Sequence, residues 1–163
     1  SYDYNIQGDD DSLSLQEKLT DLAIKNIEDV FEMNLNKSEF KKQNKDLASY
    51  ARKLSKDESL ISWDEDVETI ISKIKAFAGW PGVDAELFGI KFKILKAKHF
   101  EDRSRAQPGS IISFNHDKLE IKAKNGFIQI NELQLPGKNV ITCRDLYNSS
   151  SDFSTKIKNY SIK

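Results

Sequence analysis

The residue types that first suggest bond-making chemistry are two histidines, one cysteine and two short acidic runs. His99 ends a strand-like run and His116 lies in a turn. Neither has a second His, Cys or carboxylate at ligand spacing, so no metal site is expected. Cys143 has no histidine near it in sequence and reads as a small buried residue rather than a nucleophile. Asp9–Asp11 and Asp64–Asp66 could supply paired carboxylates, but a polar loop and a helix N-terminus account for them. There is no phosphate loop, no G-x-G-x-x-G and no nucleophile elbow. Taken alone, the residues hold no complete catalytic constellation.

Positive charge is the better lead. Lys37, Lys41, Lys42, Lys45, Arg52, Lys53 and Lys56 meet only Glu39 and Asp46 as opposing acids before Lys56. One reading is a solvated linker; the other is electrostatic contact with a polyanion. A second group is Lys91, Lys93, Lys96 and Lys98. Lys91 to Ile94 alternate, and the phase shifts at Leu95. A β-bulge there would put all four lysines on one face. Trp63 and Trp80 read as packing at a helix–barrel junction, with stacking on bases as the alternative.

The elements that must hold these groups turn on the stretch from Trp63 to Gly82. Val67, Ile70, Ile71, Ile74, Phe77 and Ala78 share one helical face. Ser62 and Glu65 have capping-box spacing, which predicts a helix starting there. Gly79 suits a left-handed C-terminus, and Pro81 ends the helix. Upstream, an apolar stripe from Leu15 to Phe31 predicts a helix from Ser12, with Ser14 and Glu17 as a second box. That stripe needs a partner its neighbours do not obviously supply.

Downstream the pattern alternates. Strand-like runs cover Phe88 to Phe100, Ile111 to Phe114, Leu119 to Ala123 and Phe127 to Leu135. Glu120 and Lys122 alternate with apolar neighbours. Turns are expected at Gln107-Pro108-Gly109, Asn115 to Lys118 and Pro136-Gly137. Asn125-Gly126 is the strongest hairpin signal, of the type I′ kind. Short strands at this spacing suggest a small barrel, and five would suit an OB-like closure. Thr142 to Tyr147 reads as a short helix capped by Thr142, and the Ser- and Lys-rich tail after it as weakly packed.

The length suits one ordinary domain, or a small domain with part of another. Charged residues make up 31% and apolar residues 38%, so much of the chain must be surface or linker. No run is long enough to cross a membrane, and no secretory signal begins the sequence. With one cysteine there is no internal disulfide, which fits a reducing, cytoplasmic setting.

Several of these segments fall in the order of a known family. Lys53-Leu54-Ser55-Lys56-Asp57-Glu58, Ile61-Ser62-Trp63 and Ile74-Lys75-Ala76-Phe77-Ala78-Gly79-Trp80-Pro81-Gly82 resemble the linker and C-terminal domain of methionyl-tRNA formyltransferases. Phe92 to Ala97, Gln107 to Ile111, Glu132 to Lys138 and Asp145-Leu146 follow in the family's order. Ile6 to Phe31 resembles the final strand-edge and helix of the family's N-terminal formyltransferase domain. Lys75 stands where the family usually has arginine, Ala78-Gly79 where it has Asn-Pro, and Asn139 where a second lysine is common.

The resemblance implies an α+β chain: a helical N-terminal segment and linker, then a small OB-like antiparallel β-barrel. Residues 1–33 would be the end of a Rossmann-like formyltransferase domain, 34–61 a basic linker, 62–148 the OB-like domain and 149–163 a tail. The whole enzyme would move a formyl group from 10-formyltetrahydrofolate, as cosubstrate, to methionyl-initiator-tRNA. The family's catalytic Asn, His and Asp match nothing here, so this portion is expected to bind no cofactor itself and to be inactive alone. It is expected to be monomeric and to hold the tRNA backbone. Lys53 and Lys56 match the family's linker lysines; Lys91, Lys93, Lys96 and Lys98 come second, and Lys75 and Lys138 third. The alternatives are the C-terminal domain of a nucleotide-sugar formyltransferase or folate dehydrogenase, and a stand-alone RNA-binding module.

Overall fold

The computed structural model describes residues 2–35, 44–101 and 105–161. The chain divides into two compact units, Ser1–Ser55 and Lys56–Lys163.

The first unit is helical. α1 (Ser12–Lys25) and α2 (Ile27–Leu35) are separated at Asn26, whose side chain donates to the Leu22 carbonyl at 2.7 Å. The expected single helix is therefore two. Its cap also differs from expectation. Asp11 is the N-cap, accepting from Ser14 N at 2.8 Å, while Ser14 Oγ accepts from Asp11 N at 3.0 Å. Ser14 is thus the third residue of the box rather than its first. No residue of α1 is buried. Leu19, Ile27, Val30 and Phe31 of the apolar stripe stay exposed.

The second unit is a mixed α+β layer. α3 (Val67–Ala76) buries Val67, Ile70, Ile71 and Ile74 against a six-stranded antiparallel sheet. The strands are β1 (Val83–Leu87), β2 (Ile90–Glu101), β3 (Ile111–Phe114), β4 (Leu119–Lys122), β5 (Gly126–Gln134) and β6 (Val140–Thr142). They lie in the order β1-β2-β5-β4-β3, with β6 also on β5. α4 (Cys143–Asn148) and α5 (Asp152–Ser161) follow. Phe92, Ile94, Ile128, Ile130 and Leu133 form the sheet's contribution to the core, each no more than 2% exposed.

α3 starts four residues later than Ser62 and Glu65 suggest. Those two close a turn instead: Glu65 Oε1 accepts from Ser62 N at 3.1 Å and Ser62 Oγ from Asp64 N at 3.2 Å. The first turn of α3 is satisfied from elsewhere in the chain. Asn125 Oδ1, in the β4–β5 connection, accepts from Val67 N at 2.9 Å. This is a helix cap supplied across 58 residues, and it meets one of the donors that every helix start leaves open.

That role reshapes the Asn125-Gly126 hairpin. Neither residue has a positive φ, so the turn is not type I′. Gly126 is instead required by proximity, because a Cβ there would lie 2.2 Å from the Phe100 carbonyl oxygen. The type I′ signature falls at Phe88-Gly89, where φ is 55° and 74°, splitting the expected Phe88–Phe100 strand into the β1–β2 hairpin.

The expected barrel is not observed, because no hydrogen bonds join β1 to β3 among the described residues. The β1 edge takes a parallel bridge from Leu60. The remaining gap is filled by α5. This helix packs on β3, its Phe153 ring lies 5.1 Å from Phe92 of β2, and its Tyr160 ring lies 5.3 Å from Phe88 of the β1–β2 turn. The tail was expected to pack weakly. It puts Phe153 and Ile157 into the core at 2% and 0% exposure. β4 also departs from simple alternation, since Glu120 and Lys122 are buried along with their apolar neighbours. The Thr142 cap forms as its spacing requires, with Thr142 and Asp145 bonded reciprocally.

Candidate nucleic-acid interface

β2 positions the most ordered set of positive side chains. Lys93, Lys96 and Lys98 stand opposite Gln134, Glu132 and Gln129 of β5, while Ile94, Ala97 and His99 stand opposite Leu133, Ile130 and Ile128. Paired residues on neighbouring strands project to the same side. Ile94, Leu133, Ile130 and Ile128 of the second set are buried in the core, so the lysines project to the other side, and alternation brings Lys91 onto it. The register shifts on either side of Lys96, which keeps the row in phase past Leu95.

The row is not bare charge. Glu86 stands opposite Lys91 on β1. Lys93 Nζ bonds Asp84 at 2.9 Å and the Pro81 carbonyl at 2.8 Å. Lys96 pairs with Glu132 at 2.9 Å, its side chain 70% exposed. Lys91 and Lys98 are exposed and make no ion pair among the described residues. An exposed pair such as Lys96–Glu132 contributes at most ~1 kcal/mol, so an incoming phosphate competes for it on even terms.

The other lysines lie elsewhere. Lys53 is exposed in the first unit. Lys56, also exposed, opens a short 3-10 turn, Lys56–Ser59, in the second. Lys75 is half-buried on α3, which packs on the sheet's core side, and Lys138 is exposed in the β5–β6 turn. Only the β2 lysines are brought together by strand register. Lys37, Lys41 and Lys42 lie outside the described residues.

At the head of the row a cavity of about 250 Å³ is lined by Lys91, Lys93, Asp84, Gln134, Leu135 and Pro136. The two tryptophans differ in burial. Trp63 is half-buried and its Nε1 donates to the Glu86 carbonyl at 2.9 Å, as a packed indole should. Trp80, expected to pack as well, is 57% exposed. The turn that carries it is closed by Gly82 N donating to the Phe77 carbonyl at 3.0 Å, with Gly79 at φ 82°, which leaves the intervening indole outside the core.

The remaining reactive types have structural roles. Cys143 is buried, its Sγ 3.6 Å from the Asn115 carbonyl. Burial, with the Asp117 carboxylate nearby, pushes its thiol up to about 11. Asp10 takes bonds from Lys18, Gln7 N and Tyr4, which hold its carboxyl below the usual range, the Lys18 bond foremost. Asp66 pairs with Lys124, and Glu65 with Lys73. Among the described residues no cluster of His, Cys, Asp or Glu could hold a metal ion, and no helix is long and apolar enough to cross a membrane. Sequence reasoning missed the cross-strand acids and the cavity. Asp84 and Glu86 on β1 are far in the chain from Glu132 and Gln134 on β5, and the register of β2 with both neighbours places them beside the lysines.

Comparison with known proteins fits this architecture. Over 144 residues the chain is 34% identical to the methionyl-tRNA formyltransferase of Hahella chejuensis, a match covering 88% of this chain and 45% of that protein. It is 42% identical over 96 residues to that of Orientia tsutsugamushi, covering 59% of this chain and 31% of that protein. The chain thus spans less than half the length of these relatives. Among solved structures, a variant of HypX from Aquifex aeolicus superimposes with a TM-score of 0.68 at 15% identity, over 90% of this chain and 27% of that one. HypX in complex with tetrahydrofolic acid superimposes at 0.60, with 16% identity, over 77% of this chain and 22% of that one. These two likenesses concern the fold. Residues 53–151 match the formyl transferase C-terminal domain, well over half the chain, and the chain belongs to that family.

Proposed function

We propose that this chain is the RNA-holding part of a methionyl-tRNA formyltransferase, an enzyme that passes a formyl group from 10-formyltetrahydrofolate to the amino group of methionyl-initiator-tRNA. The observation that carries the reading is the outward lysine row of β2, with Lys91 and Lys98 unpaired among the described residues, on a domain whose relatives bear that enzyme's name. Ammonium groups on one face neutralise successive phosphates, and the displaced counterions drive association. A-form RNA hides its base edges in a deep groove, so such a face reads shape and phosphate position. Lys53 and Lys56 add charge along the segment leading into the domain, and Lys75 and Lys138 are secondary contacts. The curled sheet with α5 across its gap serves as an OB-like scaffold for that face. The domain orients the tRNA, and formyl transfer itself belongs to groups outside it. The protein works in the cytoplasm as a monomer.

The test is a titration of initiator tRNA against the protein at several salt concentrations, with a UDP-sugar as the competing ligand class. Engagement of four or five phosphates gives a log–log slope of about -3 to -5. A flat salt dependence, or binding of the nucleotide sugar in place of tRNA, refutes the proposal. Glutamate at both Lys53 and Lys56 should weaken tRNA binding while the thermal midpoint stays put. Unchanged affinity removes those two residues from the interface.

A further inference from the structure

We infer that exposed Trp80 and the cavity lined by Lys91 and Lys93 form a nucleotide subsite for single-stranded RNA, in which the indole stacks on one base and Lys91 takes the neighbouring phosphate. The inference rests on the RNA reading above and deepens it. Trp80 exposes 57% of its surface, although its turn is held by the Gly82–Phe77 backbone bond and a left-handed Gly79. Trp63, by contrast, is committed to Glu86 and the core. Trp80 is also tied to the lysine row. The next residue, Pro81, offers its carbonyl to Lys93 at 2.8 Å, and Lys93 lines the cavity.

The cavity suits one nucleotide rather than a duplex. Leu135 and Pro136 give it apolar walls, and Gln134 offers an amide that can meet a base edge. Its charges are Lys91, Lys93 and Asp84, and the last two neutralise each other at 2.9 Å. Lys91 is the cation left for a phosphate, with Glu86 as the acid facing it across the strands. Bases in a duplex are already stacked on one another, whereas those of a single strand are open to an aromatic face.

The experiment uses an eight-residue oligoadenylate, a duplex RNA of the same length and initiator tRNA, with tryptophan emission and affinity as readouts. Oligoadenylate should quench wild-type emission. Trp80→Leu should abolish that quench and weaken single-strand binding by about 5- to 150-fold, the range that base–aromatic stacking supports. Its duplex affinity should stay within about twofold, because duplex binding is a matter of phosphate contacts. Trp80→Phe should restore most of the loss. Lys91→Ala should flatten the oligoadenylate salt slope by about 0.7. Single-strand binding without quenching in the wild type, or unchanged affinity in Trp80→Leu, overturns the subsite while leaving the phosphate face intact. Failure of oligonucleotides and tRNA alike to bind overturns both.

Discussion

Phe153→Ala measures how far α5 belongs to the domain. Residues 152–161 lie beyond the span that matches the family, so α5 would be dispensable were it an appendage. The structure makes it a plug. Phe153 is 2% exposed and its ring centroid lies 5.1 Å from that of Phe92, itself 2% exposed. A buried phenylalanine removes roughly 200 Å² from water. At about 25 cal/mol per Å² the transfer term for the ring is several kcal/mol, reduced because the unfolded chain already hides some of that surface. Truncation also leaves a cavity and forfeits the ring pair, so the expected loss is about 3–5 kcal/mol. Tyr160→Ala on the same helix removes a ring that is 50% exposed, and should cost about 1 kcal/mol or less. Urea unfolding followed by far-ultraviolet circular dichroism gives both values, with the slope compared between variants to confirm that the exposed surface is unchanged. A loss below about 1 kcal/mol for Phe153→Ala, or equal losses for the two variants, would refute the placement of α5 across the sheet's gap.

Further outcomes follow from contacts elsewhere in the second unit. Asn125→Ala removes the acceptor for Val67 N, so urea unfolding should show a loss of about 1 kcal/mol, and Glu68, held below the usual carboxylate range first by its bond from Asn125, should titrate closer to that range by NMR. Cys143, its thiol raised to about 11, should react with a thiol reagent at pH 8 about 100-fold or more slowly than free cysteine, because the thiolate is the nucleophile and is scarce until the pH nears the raised value. The same shift acts on stability: the contribution is full below the unfolded value near 9 and falls as pH rises towards 11, so the urea midpoint should decline over that interval.

Local signals settled local structure in this chain. The spacing of Val67, Ile70, Ile71 and Ile74 fixed the buried face of α3, because helical periodicity alone decides which side chains share a side. Thr142 and Asp145 closed their capping box, the Pro136-Gly137 turn formed with Gly137 at φ 68°, and the phase slip at Leu95 became a register shift in β2. Each is decided within a few residues. The ordered motifs from Lys53 to Leu146 were enough to place the chain in its family.

What the sequence left open was everything set by distant partners. Asn125 looked like a turn residue and is a helix cap, because α3 arrives beside it only in three dimensions. Trp80 looked like core and is exposed, because the closed turn around it carries the indole away from the sheet. Four lysines looked like free positive charge, yet Asp84 pairs with Lys93 across the β1–β2 hairpin, Glu132 pairs with Lys96 across strands far apart in the chain, and Glu86 stands opposite Lys91. The tail's buried anchors, Phe153 and Ile157, are set among serines and lysines that gave no sign of its docking, and the helix covers the gap between β3 and the β1–β2 hairpin. Periodicity and caps are properties of neighbours along the chain; burial and charge pairing are properties of neighbours in space, and only the folded sheet decides those.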